Sequence, residues 1–190
     1  MKNKITFDKP GNFLYPVSAV MVSCRSGAGE NNIITIAWTG TVCSEPPMLS
    51  ISVRKERHSY PMIRETGEFV VNLTDASLLH ACDYCGCVSG AKVDKFKECG
   101  LTAVRGSAVE APLIVEAPVN IECKVTKEMD LGSHVMFLAE VKCVHVDEKY
   151  LDEKGAFHME NVDLIAYSHG KYHGLGEILG TFGYSVRRKK

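Results

Sequence analysis

Val119-Asn120-Ile121-Glu122-Cys123-Lys124-Val125 alternates apolar and polar side chains without a break. A period of two puts Val119, Ile121, Cys123 and Val125 on one face, the pattern of a half-buried strand. Outward from this stretch the same pattern recurs. Val135 to Val146 reads as a longer strand, and Val17 to Cys24, Ile33 to Val42, Leu49 to Arg54 and Phe69 to Leu73 read as further ones. Turn signals separate them roughly every ten residues: Lys9-Pro10-Gly11, Ser26-Gly27-Ala28-Gly29, Glu45-Pro46-Pro47, Thr66-Gly67 and Ala111-Pro112. The prolines of Glu45-Pro46-Pro47 suit a loop entering a strand, because proline supplies no ladder N–H. The spacing predicts a mainly β chain, an antiparallel barrel or sandwich with inserted helices.

Helix signals are fewer. Ser59 is placed to N-cap a helix running through Pro61, Met62, Ile63 and Arg64, with Gly67 ending it. Asp75 is placed to cap Ser77 to Asp83, and Val93 to Cys99 reads as a short helix ending at Gly100. Strands do not alternate with helices and no Gly-x-Gly-x-x-Gly occurs, which argues against a Rossmann fold.

The chain has 190 residues, a formal net charge of -1, 45% apolar and 24% charged residues. Those are values of an ordinary globular protein, and a chain of this length buries roughly 70% of its unfolded surface. One domain over residues 1–190 is expected. No apolar run reaches the ~18–20 residues that span a bilayer, so no membrane association is expected. The start, Met1-Lys2-Asn3-Lys4-Ile5-Thr6-Phe7-Asp8, lacks an apolar signal-peptide core, so a cytoplasmic location is expected. Near neutrality argues against a nucleic-acid partner, and the basic run Arg187-Arg188-Lys189-Lys190 reads as a solvated tail. Eight cysteines are irregularly spaced; Cys24, Cys43, Cys123 and Cys143 lie in or beside apolar runs and read as small buried hydrophobes. Asn72-Leu73-Thr74 matches a glycosylation acceptor only in a secreted chain.

Two segments carry chemistry. Ser52-Val53-Arg54-Lys55-Glu56-Arg57-His58-Ser59-Tyr60 ends a strand and opens a helix. It combines cationic donors, hydroxyls and the N–H groups of a helix start, which together suit an anion such as a phosphate; the plainer reading is a charged loop with a serine cap. Thr35-Ile36-Ala37-Trp38-Thr39-Gly40-Thr41 holds the single tryptophan, followed by small and hydroxylic residues. Gly40 allows a flat ligand close to the backbone; the plainer reading is a core tryptophan beside a turn.

Thr35-x-x-Trp38, the Pro46-Pro47 strand start, Ser52-Val53-Arg54-x-x-x-His58-Ser59 and Gly67-x-Phe69-Val70-Val71-Asn72-Leu73 together resemble the flavin reductase-like FMN-binding split-barrel family. Ser89-Gly90-Ala91-Lys92-Val93-Asp94-Lys95-Phe96 and Gly170-Lys171-Tyr172-His173-Gly174-Leu175-Gly176 are similar to two later signatures of that family. The resemblance runs from about Pro10 to Gly183, and the flavoredoxin branch is the nearest match. It implies a split β-barrel of Greek-key type and a homodimer with FMN near the subunit interface. Carried over by residue, Thr35, Ile36, Ala37, Trp38, Thr39, Gly40 and Thr41 would line the isoalloxazine. Ser52, Val53 and Arg54 would hold the phosphate and ribityl chain, with His58, Ser59 and Tyr60 completing that pocket. Ser89, Gly90 and Lys95 would approach from the next element, and Tyr172 and His173 would close the site from one subunit or the other.

FMN carries its own redox chemistry, so no nucleophile or acid–base dyad is required of the protein and no catalytic side chain is expected. The implied function is a flavoredoxin-like protein that passes electrons through bound FMN to a partner protein. The alternative is an NAD(P)H-dependent reductase for which FMN is a diffusible substrate. Cys82-Asp83-Tyr84-Cys85-Gly86-Cys87 departs from the family's pattern. Structural thiols, a redox pair near the flavin, and a metal-binding module on Cys82, Cys85 and Cys87 with His80 as fourth ligand all remain open for it.

Overall fold

The computed structural model describes residues 3–187; Arg188, Lys189 and Lys190 of the basic run lie outside the described residues. Its strands are β1 (Val17–Ser18), β2 (Val20–Arg25), β3 (Asn31–Ile36), β4 (Thr39–Ser44), β5 (Pro47–Arg54), β6 (Glu68–Leu73), β7 (Ala103–Val104), β8 (Leu113–Ile114), β9 (Val119–Asp130), β10 (His134–Val146), β11 (Ile165–Ser168) and β12 (Lys171–Gly174). The helices are α1 (Ser59–Thr66), α2 (Leu79–Cys87) and α3 (Lys95–Glu98). None is long and apolar enough to cross a membrane.

A seven-stranded antiparallel sheet runs β3-β2-β6-β9-β10-β5-β4. Its register lines up Ile34, Val22, Val71 and Ile121 on neighbouring strands. All four face one apolar core that also takes Ile51, Val53, Phe69, Val135 and Phe137, with Met62 and Ile63 of α1. Cross-strand apolar rows of this kind are the unit that holds a sheet together. Strands from both ends of the sheet therefore share an interior, and the sheet is curled into a barrel. Its end strands, β3 and β4, are linked directly through Ala37 and Trp38, where Ser52 N–H donates to the Trp38 carbonyl at 2.9 Å.

A second core explains why β2 is buried on both faces. Ala19, Met21 and Ile33 face outward onto Leu78, Ala81, Cys82 and Cys85, Phe96 and Ile165. This layer brings α2 and α3 against β3, which positions the segment from Cys85 to Lys95 beside the barrel wall.

The structure redraws several boundaries. The strand expected over Val17 to Cys24 is two, because β1 leaves the barrel to pair with β11. The strand expected over Ile33 to Val42 breaks at Ala37-Trp38, where the chain crosses from one end of the sheet to the other. β5 begins at Pro47, at the first position of a strand, where a missing N–H costs nothing. Ser59 is not a cap: His58 precedes α1 with helical dihedrals and makes no side-chain cap bond. Gly67 ends α1 in the left-handed region, at φ 67°, as its position suggested. Asp75 caps a 3-10 turn, Ala76–Leu78, through the Leu78 N–H, and α2 follows it as far as Cys87. Asp94 caps α3, which starts at Lys95 rather than Val93.

β9 is also buried more deeply than its alternation implied. Asn120 and Glu122, on its polar face, are 7% and 0% exposed. The segment before β9 folds back over them: Glu122 accepts from the Ser107, Ala108 and Val109 N–H groups, and Asn120 donates to Asn72 and to the Ile114 carbonyl. Asn72 of the Asn-Leu-Thr sequon is itself fully buried and donates to the Met21 carbonyl and to Ser23 Oγ.

Candidate functional site

The end of β3, the end of β5, the start of α1 and the Cys85 to Lys95 segment enclose a groove of two adjoining cavities. The first is about 140 Å³ and is lined by Thr35, Ile36, Ala37, Trp38, Ser52, Val53, Arg54 and His134. The second is about 110 Å³ and is lined by Asn32, Glu56, His58, Ser59, Cys85, Ser89, Gly90 and Lys95. Ile34 and Arg57 belong to both walls.

Local folding sets each side chain. Ile34, Ile36 and Val53 send their side chains into the barrel core, so they meet the groove with backbone. Thr35 points the other way and its hydroxyl donates to the Cys82 carbonyl, tying β3 to α2. Ser59 is 1% exposed, and its Oγ accepts from Asn32 Nδ2 at 2.8 Å. Arg54 is paired with Glu56 at 3.0 Å and His58 with Glu30 at 3.3 Å. The Tyr60 N–H is taken by the Arg57 carbonyl at 2.9 Å and Pro61 has none, so the helix start offers fewer open N–H groups than the sequence suggested.

Lys95 is the most unusual group here. It is 4% exposed, and its ammonium donates to the Ile33 carbonyl at 2.6 Å and the Cys85 carbonyl at 2.7 Å. Burial holds its pKa below the ordinary lysine value, and the nearby Arg57 adds to that. No carboxylate is paired with it among the described residues, although buried charges are normally paired. A cation so placed on a cavity wall is complementary to an anion.

Thr35, Ile36, Ala37, Trp38, Ser52, Val53, Arg54, His58, Ser59, Ser89, Gly90 and Lys95 are thus brought together along the two cavities. The others are not. Thr39 faces a neighbouring cavity of about 450 Å³ beyond Trp38 and bonds the Ser50 carbonyl at 2.8 Å. Gly40 and Thr41 lie exposed on the edge strand β4. Tyr60 packs against Phe137 at the barrel core, with ring centroids 6.1 Å apart. Tyr172 lies on the α2 side, where its hydroxyl donates to Asp83 at 3.0 Å, and His173 is exposed on β12. Arg57, a cationic donor of the Ser52 to Tyr60 segment, lines both cavities. Asn32 and His134 escaped sequence reading: Asn32 sits just before the Ile33 to Val42 run, while His134 begins β10 and reaches Arg54 only through the β5–β10 register.

The cysteine motif does not converge. Cys82 and Cys85 face the second core from α2, at 0% and 1% exposure, whereas Cys87 is exposed. His80 is exposed and stacks on Tyr84. Among the described residues the grouping within reach of one metal ion is instead Glu122, Cys143 and His145. Cys24 and Cys123 are buried as expected, but Cys43 and Cys143 are only half-buried.

Comparison with known proteins identifies the family and the fold. The family profile described as flavin reductase like domain matches residues 12–176. An uncharacterized protein of Archaeoglobus fulgidus is 32% identical over 142 residues, 75% of this chain and 79% of that one. The solved structure of flavoredoxin of Desulfovibrio vulgaris (Miyazaki F) superposes with a TM-score of 0.89 at 30% identity, covering 97% of this chain and 100% of that one. Flavoredoxin from Methanosarcina acetivorans gives a TM-score of 0.85 at 28% identity, covering 96% and 100%.

Proposed function

Because the chain belongs to the flavin reductase-like domain family, and so has its split-barrel fold, we propose that it binds FMN in the groove and passes electrons through it to a redox partner, as a flavoredoxin-like carrier. The observation that carries this reading is Lys95, a buried ammonium bonded to two backbone carbonyls and lining the groove. The residues present fit the group. Lys95, Arg57, His58 and Ser89 supply donors for a phosphate. Gly90 packs its backbone directly on Asn32, which holds the Ser89-Gly90 turn against the groove wall. The β3 end and Trp38 offer backbone and an aromatic face for a flat ring system.

FMN supplies the electron-transfer chemistry when bound. This chain's residues would bind and orient it: Lys95 and Arg57 would neutralise its phosphate, and the Ile34 to Trp38 backbone would meet its polar edge, with Ser52 and His134 on the same cavity wall. A second reading makes FMN a diffusible substrate reduced by NAD(P)H. The cavity of about 450 Å³ that shares Ala37 and Trp38 with the groove favours it, because it leaves room for a second planar molecule.

We also infer a homodimer. Phe7, Phe13, Leu14, Leu175, Leu179 and Phe182 are between 62% and 103% exposed at the two ends of the chain. Large apolar side chains left this exposed are what a subunit interface would cover.

The spectrum of freshly purified protein tests the reading. Flavin absorbance, with one FMN released per chain on heating, is the outcome for a carrier. A colourless protein that turns over NAD(P)H rapidly with added FMN indicates the reductase, and one that ignores FMN removes both. Size-exclusion chromatography with light scattering decides the dimer.

A further inference from the structure

Cys85 ends no Cys-x-x-Cys pair in the folded chain. Its Sγ lies 4.0 Å from Cys99 Sγ, a thiol fourteen residues away on the turn that follows α3. Cys82 turns its side chain into the same core without a thiol partner, and the Cys87 Sγ approaches Asp83 at 4.0 Å. The two thiols in contact therefore belong to different elements, and they differ in access: Cys85 is 1% exposed and Cys99 is half-buried.

Three further relationships tie this pair to the groove. Cys85 lines the groove wall together with Lys95. Lys95 Nζ donates to the Cys85 carbonyl at 2.7 Å. The Cys99 N–H in turn donates to the Lys95 carbonyl at 3.1 Å. Lys95 is thus held at one end by the residue carrying the first thiol and at the other by the residue carrying the second.

We propose that Cys85 and Cys99 are a redox pair that a peroxide closes to a disulfide, and that closure loosens the groove's hold on an anionic ligand. The second half rests on the FMN reading; the first does not. Cys99 starts the reaction because it reaches solvent. Its sulfur attacks one oxygen of hydrogen peroxide, the O–O bond breaks, and a sulfenic acid and one water result. Cys85 sulfur then attacks Cys99 sulfur, the S–O bond breaks, and the departing hydroxide takes the Cys85 proton as a second water. Two thiols are oxidised by two electrons and one peroxide is reduced to two waters.

Burial raises both thiols, Cys85 to about 12, and the Lys95 ammonium opposes that rise at each. The net shift is upward at both sulfurs, so closure is slow near neutral pH and speeds up as pH rises. A disulfide needs its sulfurs about 2.0 Å apart. Closure from 4.0 Å draws the Cys99 turn toward α2, and Lys95 is hydrogen-bonded to the backbone of both cysteines. A loss of one charge-assisted contact to a phosphate weakens binding by about tenfold.

The test uses the full chain, reduced, then treated with hydrogen peroxide, alkylated, digested and mapped by mass spectrometry. The expected result is a peptide pair joined through Cys85 and Cys99, lighter by two hydrogens. That pair is lost in Cys99→Ser and kept in Cys87→Ser. FMN affinity, read by titration, falls about tenfold on oxidation and returns with dithiothreitol. Absence of the joined pair, or joining of Cys82 to Cys85 instead, overturns the proposal. So does a joined pair with unchanged FMN affinity. A reduced protein that binds no FMN refutes the flavin reading alone, and the peptide map still decides the disulfide.

Discussion

Asn32 Nδ2 donates to Ser59 Oγ across 2.8 Å, with both residues almost fully buried, so β3 is stitched to the first turn of α1 at the floor of the groove. The bond leaves the Asn32 amide pressed against the backbone of Gly90. A Cβ at Gly90 would fall 2.6 Å from Asn32 Cγ, and closer still to its Oδ1. The Asn32 side chain is buried and held, so it has little freedom to yield. Gly90→Ala is expected to cost about 1–3 kcal/mol of stability through overpacking. A thermal melt of the two proteins checks this. An unchanged Tm would show that the Ser89-Gly90 loop moves away freely and does not form a rigid wall.

Lys95 provides a sharper test of the ligand's charge. Lys95→Met keeps most of the side chain's length and removes the ammonium. FMN affinity should fall by about 1.5–3 kcal/mol, the range for a hydrogen bond to a charged group. Riboflavin, which lacks the phosphate, should bind the variant about as well as it binds the parent. Isothermal titration with both ligands separates the effects. Equal losses would mean that Lys95 supports the wall and does not meet the phosphate.

The sheet was largely legible from the sequence, because alternation and turn residues report local backbone preferences. Limits appeared where tertiary packing overrides the local pattern. The Ile33 to Val42 run looks continuous since nothing in it announces the crossing at Ala37-Trp38. Ser59 looks like a cap, yet its hydroxyl serves Asn32, a partner 27 residues away. The groove was legible where it is built from contiguous segments, Thr35 to Trp38 and Ser52 to Ser59. His134 was invisible because only the pairing of β10 with β5 sets it opposite Arg54. Tyr60 was misplaced because a helix start has two faces, and the apolar one belongs to the core.

Trp38 offers a reporter that needs no mutation. It is the single tryptophan, it is 37% exposed, and it lines the groove. Oxidised flavin absorbs where tryptophan emits, so a flavin in the groove should quench most of the emission, with a titration midpoint matching calorimetry. Riboflavin should quench as FMN does at saturation, since both carry the same ring. Flavin binding without quenching would place the ligand away from the β3 end.

Glu122 sets the expected response to acid. Burial pushes its carboxyl up, but His145 at 2.6 Å and three backbone N–H groups outweigh that and hold the pKa at about 2, against an ordinary 4.5. A carboxyl whose folded pKa is depressed stabilises fully above its unfolded value and loses that contribution as pH falls through the folded one. Stability should therefore decline between pH 4.5 and about 2 as the segment from Ser107 to Val109 comes away from β9. Glu122→Gln should lower stability near neutral pH by about 3 kcal/mol, because the amide turns donors toward donors at a buried site. It should also flatten the decline in the acid range. Denaturant unfolding of both proteins at a series of pH values measures the two effects together. A variant as stable as the parent at pH 7 and equally acid-sensitive would mean that another carboxylate controls the acid limb.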